Sequence, residues 1–95
     1  MPKYDRLQQF MREWRKLTSA QQQQFEAAWR AIAVALSLTK ALPPPPLVQK
    51  MSGQEIYEVR WAPDGRATFH IEHDANGEQI IVWRRIGDHS ILKHP

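Results

Sequence analysis

Four consecutive prolines, Pro43–Pro46, divide the chain into two parts with different periodicities. Proline removes a backbone donor and disfavours the α conformation in the residue before it, so no helix continues across the run. At about 3.1 Å per residue the four make a stiff spacer of about 12 Å. A docking motif for a proline-binding module is the other use such a run can have.

Before the prolines, apolar residues recur at intervals of three and four. Leu7, Phe10, Met11, Trp14 and Leu17 share one side of a helix expected from about residue 5. Thr18 and Ser19 interrupt it, with Gln21 and Gln22 three residues after each, the spacing of a capping box that starts a second helix. Its stripe is Phe25, Ala28, Trp29, Ile32 and Leu36. Two amphipathic helices with so short a break make a helical hairpin over about 5–38.

After a linker at about 42–47, the alternation changes to that of strands. Tyr57, Val59 and Trp61 alternate with Ile56, Glu58 and Arg60. Ala62-Pro63-Asp64-Gly65 then reads as a three-residue hairpin loop, with Gly65 in the left-handed position of a bulge. That loop pairs Ala62 with Arg66, Arg60 with Thr68 and Glu58 with His70. Asp74-Ala75-Asn76-Gly77 is a second turn, and pairing His73 with Glu78 sets Ile71 beside Ile80 and Phe69 beside Val82. Arg66 then lies opposite Arg85. The expected fold is α+β: an N-terminal helical hairpin packed on one face of a three-stranded antiparallel meander at about 55–92, one domain in all. Arg84 falls on the apolar side in this register, which a bulge or an edge position would relieve.

The deduced polar face carries Glu58, Arg60, Arg66, Thr68, His70, Glu72, Trp83 and Arg85, with His89 just past the last strand. Guanidinium groups bind phosphate oxygens and stabilise added negative charge, and histidine or glutamate moves protons near neutral pH. Trp83 would stack on a base. The plainer reading is a solvated sheet face with cross-strand ion pairs.

Charge limits the choice of partner. Residues 1–40 hold seven basic and three acidic side chains (+4), and residues 41–95 six and seven (−1), so RNA recognition by the second part would need placed side chains rather than bulk charge. There is no cysteine, which rules out disulfides and thiolate chemistry. His70 and His73 point to opposite faces of a strand and cannot chelate zinc together, so neither metal nor cofactor is expected. No apolar run approaches the ~20 residues of a membrane span, which leads us to expect a cytoplasmic protein.

Several stretches resemble the RelE/ParE toxin superfamily, in particular its ribosome-dependent mRNA-cleaving branch. They are the Glu13–Leu17 helix, Leu47–Gly53, Tyr57-Glu58-Val59-Arg60-Trp61 leading to Gly65-Arg66, and Arg85-Ile86-Gly87-Asp88-His89, which is similar to the Arg-x-Gly-x-His ending of YafQ-like toxins. The resemblance implies a toxin partnered by a cognate antitoxin, acting as a metal-independent endoribonuclease on mRNA in the ribosome and so blocking translation. It implies Arg66 as stabiliser of the transition-state charge, His89 as general acid or base, and Arg60 as an RNA contact. Glu58 stands where relatives often have a basic residue and would pair with His89 or Arg60, or supply the base. Arg85, His70 and Trp83 join the RNA-binding set from the face argument. Departures from the superfamily pattern are the near absence of a strand in Met1–Tyr4 and the replacement of a C-terminal aromatic by Lys93 or His94. They keep open a non-catalytic alternative: a gyrase-inhibiting toxin or an antitoxin-binding scaffold.

Overall fold

The computed structural model describes residues 2–95. Its elements are β1 (Lys3–Arg6), α1 (Gln8–Trp14), α2 (Ser19–Thr39), β2 (Val48–Lys50), β3 (Tyr57–Arg60), β4 (Gly65–His73) and β5 (Gln79–Asp88), followed by a 3₁₀ turn at His89–Lys93. The fold is α+β, but the expected three-stranded meander is the centre of a five-stranded mixed sheet of order β1-β5-β4-β3-β2. β1 runs parallel to β5 and every other pairing is antiparallel.

β1 takes Asp5 and Arg6 away from the expected first helix, and all four of its residues are exposed. It therefore shows no apolar alternation. Its fixings are distant in sequence: ladder pairing of Lys3 with Ile80 through Arg6 with Trp83, a Leu7 N–H bond to the Trp83 carbonyl (2.9 Å), and an ion pair between Lys3 and Asp74. The start of α2 follows the sequence rule. Thr18 Oγ1 accepts from the Gln21 N–H (3.1 Å) and Gln21 Oε1 from the Thr18 N–H (2.8 Å), satisfying two end donors reciprocally.

Both hairpin registers differ from expectation. Arg60 pairs with Arg66 and Glu58 with Thr68, a shift of two that preserves the faces and moves the loop to Ala62–Asp64, closed by the Trp61 N–H bond to the Gly65 carbonyl (3.2 Å). The Trp61 indole is buried against Gly65; a Cβ there would lie 2.7 Å from the ring carbons. Gly65 is thus required for close approach, not for the expected left-handed conformation, which among the glycines Gly53 and Gly77 adopt.

In the second hairpin the Asp74 carboxylate accepts from the Asn76 and Glu78 N–H groups (2.8 and 3.0 Å). This draws Glu78 into the turn, and His73 pairs with Gln79. The one-residue shift reverses β5, so Ile81 and Trp83 face the helices in place of Ile80 and Val82. Trp83 is 1% exposed and meets Phe25, Trp29 and Phe69 at centroid distances of 5.0–5.4 Å. Burying ~200 Å² of indole at about 25 cal/mol per Å² is worth roughly 5 kcal/mol, more than a valine at that position can return.

Continuing the alternation past Trp83 would then bury Arg85 and expose Ile86. A bulge prevents this: Phe69 pairs with Trp83 and Thr68 with Arg85, leaving Arg84 as the extra residue, and Ile86 returns to the core. One disrupted ladder bond costs about 1 kcal/mol, against several for an unpaired buried guanidinium, so the bulge is the cheaper solution.

Candidate functional site

The side of the sheet away from the helices presents a row across three strands. Arg60 on β3 pairs with Arg66 on β4, and Arg66 pairs with Gly87 on β5. His89 follows two residues after Gly87, at the start of the 3₁₀ turn. Like charges directly opposite each other are unfavourable in a ladder, so two facing arginines need either local compensation or an anion.

Arg66 receives part of that compensation. Its side chain is 8% exposed, and Nη1 donates to the carbonyls of Gly65 (2.9 Å), Pro63 (3.2 Å) and Ala62 (3.3 Å). Nε lies 3.9 Å from Glu58 Oε2. Three carbonyl dipoles from the first hairpin therefore hold one edge of the guanidinium in place, while Nη2 makes no hydrogen bond among the described residues. Arg60 is exposed and has no ion-pair partner among the described residues. A placed guanidinium beside a second, free one is an arrangement that binds an oxyanion with little reorganisation.

The other predicted residues divide by location. Glu58 joins Arg60 and Arg66, being the register neighbour of Thr68 on the same face and the carboxylate next to Arg66. His89 is exposed, and among the described residues its ring has no hydrogen-bond partner. The preceding Asp88 caps the turn; hydrogen bonds from the Ser90 hydroxyl and N–H hold its carboxyl below the usual range. Gly87 lies under the turn, where an added Cβ would stand 3.1 Å from Ile91.

Trp83 is not on this face. The expectation that it stacks on a base is overturned by its place at the centre of the aromatic core. Arg85 is also committed elsewhere. It sits at the β5 edge, where Nη2 and Nε donate to Glu13 on α1 (2.5 and 3.3 Å) and Nη1 to the His94 carbonyl (3.1 Å). Glu13 also accepts from the Ile86 N–H (3.2 Å), beyond the end of β1. Burial alone would raise the Glu13 carboxyl, but the bonds from Arg85, Ile86 and Gln9 together with the Arg85 charge bring it below its ordinary value.

Arg84, placed on the apolar side by the sequence reading, is turned to the outer face by the one-residue register shift that brings Trp83 inward. There its Nη1 meets His70 Nδ1 (2.8 Å) and its Nε donates to the Pro95 carbonyl (3.1 Å). His70 Nε2 lies 2.8 Å from Glu72 Oε2. Because arginine can only donate, Nδ1 of His70 is the acceptor and Nε2 carries the proton toward Glu72. This second cluster is four residues along β4 from Arg66, about 13 Å at ~3.3 Å per residue, so the two do not share one phosphate. The paired arginines Arg84-Arg85 are visible in the sequence, but the direction of Arg84 depends on the register of β5 and that of Arg85 on the bulge.

Among the described residues no group of three or more His, Asp or Glu side chains is arranged to hold a metal ion. No described helix is long and apolar enough to cross a membrane.

The order of elements and the sheet topology are those of the RelE-type toxin fold. The E. coli RelBE toxin–antitoxin complex superposes with a TM-score of 0.64 at 17% identity, over 93% of this chain and 96% of the other. The RelB–RelE complex of Methanococcus jannaschii gives 0.63 at 13% identity, over 95% and 98%. A mutant of E. coli YafQ gives 0.60 at 11% identity, over 97% and 98%. At these identities the likeness is one of fold. No protein-family model matches the chain, and no curated protein matches it.

Proposed function

We propose that this chain is the toxin of a type II toxin–antitoxin module, acting in the cytoplasm as an endoribonuclease that cleaves mRNA on the ribosome and so inhibits translation. The observation that carries the reading is Arg66: a guanidinium nearly buried on a polar sheet face, fixed on one edge by three carbonyls and facing Arg60. A purely structural arginine would be expected to pair with a carboxylate at closer than the 3.9 Å seen to Glu58.

In this reading a ribose 2′-oxygen attacks the adjacent phosphorus, forming the 2′-O–P bond and breaking the bond to the 5′-oxygen. The 2′-hydroxyl proton passes to a base, and the departing 5′-oxygen takes a proton from an acid. Arg66 stabilises the charge that accumulates on the phosphoryl oxygens, and Arg60 binds the strand beside it. His89, at the end of the same row, moves one of these protons, and Glu58 either holds Arg66 or is the second acid–base group beside His89. Arg85, in the Glu13 pair, positions the end of β5, while His70 contacts RNA through the second cluster. No step calls for a metal.

That RelE structures include complexes with the antitoxin RelB supports an antitoxin as protein partner here. The second reading, a binding-only relative, draws on one observation: among the described residues no hydrogen bond holds the His89 ring. Induced expression separates them. The nuclease reading predicts growth arrest with cleaved message, relieved by Arg66→Ala and by His89→Ala in folded protein, and cleavage on ribosomes in vitro by protein stripped beforehand of metal with EDTA. Arrest with intact message would sink it.

A further inference from the structure

The tetraproline run has a place beside the arginine row. Pro43–Pro46 and Leu47 form an open pocket of about 430 Å³ whose sole charged lining residue is Arg60. The run is pinned there, since the Arg60 N–H donates to the Leu47 carbonyl (3.0 Å) and Val48 pairs with Val59. Pro44, Pro45 and Pro46 remain exposed. A volume of several hundred Å³ is in the range of small-ligand sites.

From this placement we infer that the proline run is a nucleobase subsite, receiving one unstacked base of a single-stranded RNA whose phosphates are held by Arg60 and Arg66. The inference rests on the nuclease reading above.

Three features favour a base as the occupant. First, Tyr57, Phe69 and Trp83 all belong to the core, leaving the arginine row without an aromatic stacking surface. Splayed bases are read by stacking between aromatic or apolar side chains, and here the prolines supply the apolar wall. Second, proline loses essentially no side-chain entropy on contact, so the wall is organised before the ligand arrives. Third, the charge is complementary: the pocket is lined by Arg60, whose planar cation a nucleoside can lie against, and Arg66 is its ladder partner on the same face, so the phosphate next to a bound base meets a second positive charge. A partner domain that reads proline helices would instead gain nothing from the Arg60–Arg66 pair.

The test uses the full chain and fluorescently labelled RNA oligonucleotides under non-cleaving conditions, with 2′-O-methyl riboses. One oligonucleotide is intact and a second lacks one base at each position in turn. A stacked base is worth about 1–3 kcal/mol, so removing the critical one should weaken binding by about fivefold or more. The double variant Pro44→Ser/Pro45→Ser should lose the same factor toward intact RNA and bind the abasic RNA as the wild type does. Arg66→Ala should weaken both RNAs alike. If the wild type binds RNA through Arg66 with no dependence on any base, or if the double variant binds intact RNA normally, the subsite is refuted and the nuclease reading stands. If a proline-binding domain is captured by the wild type and lost in the double variant while RNA affinity is unchanged, the surface belongs to that partner and the subsite is likewise refuted. Absence of any RNA binding refutes the subsite, while the nuclease reading is decided separately by primer extension on translated message. Melting temperatures of the double variant, and of a Pro44→Ala variant expected to keep part of the wall, show that any loss is not one of folding.

Discussion

Glu13→Gln is expected to destabilise the fold at neutral pH and to have no such effect in acid. The Glu13 carboxylate accepts three bonds, two from Arg85 and one from the Ile86 N–H, with side-chain exposures of 13% for Glu13 and 25% for Arg85. Hydrogen bonds to a charged group contribute about 1.5–3 kcal/mol each at best, and they overlap here. Glutamine retains one acceptor, and Arg85 keeps the His94 carbonyl. A net loss of about 2–3 kcal/mol follows. At 4–8 °C per kcal/mol for a domain of this size, Tm should fall by roughly 10–20 °C.

The pH dependence follows from the direction of the shift. The Glu13 carboxyl lies below its ordinary value of 4.5 in the folded protein. Its contribution is therefore complete above the unfolded-state value and is lost as pH falls through the lower folded one. Thermal melts of the wild type and the variant across pH 2–7 should converge at the acid end. Equal stability at pH 7, or a gap that persists unchanged at pH 2, would refute the assignment of Glu13 as the anchor of β5.

Other substitutions test separate parts of the structure. Trp83→Ala should cost about 3–5 kcal/mol by cavity formation, enough to unfold much of the population, and denaturant titration reads it; a mild effect would return Trp83 to the surface role expected from the sequence. Gly65→Ala places a methyl 2.7 Å from the Trp61 ring and should cost about 1–3 kcal/mol, visible as a drop in Tm and a change in tryptophan fluorescence. Arg66→Lys keeps the charge but, with one nitrogen, cannot both occupy the carbonyl site of Nη1 and present a free Nη2, so message cleavage should fall by about 10²-fold with little change in fold.

Much of this architecture is legible in local sequence signals. The capping box at Thr18–Gln21, the Asn76-Gly77 turn and the helical stripe through Phe25 and Ile32 each carry their information within a few residues. The elements that escaped are held by distant partners. β1 has no buried side chain, and its existence depends on an open edge of β5 and on Asp74. The register of β5 turned on whether Asp74 captures Glu78 and on which residue the helices bury, and neither can be read from strand alternation alone. That one-residue difference decided the site: it removed Trp83 from the polar face and, with the bulge, exchanged Arg84 for Arg85. Arg60, Arg66 and Glu58 stayed together because a shift of two preserves the face.

The central claim, that Arg66 acts on phosphodiesters, is tested most directly by primer extension on a message translated in vitro with purified protein. Wild-type protein treated beforehand with EDTA should give discrete cuts, reduced by about 10²–10³-fold with Arg66→Ala of unaltered fold. Intact message with the wild type, or equal cutting by the variant, would contradict it.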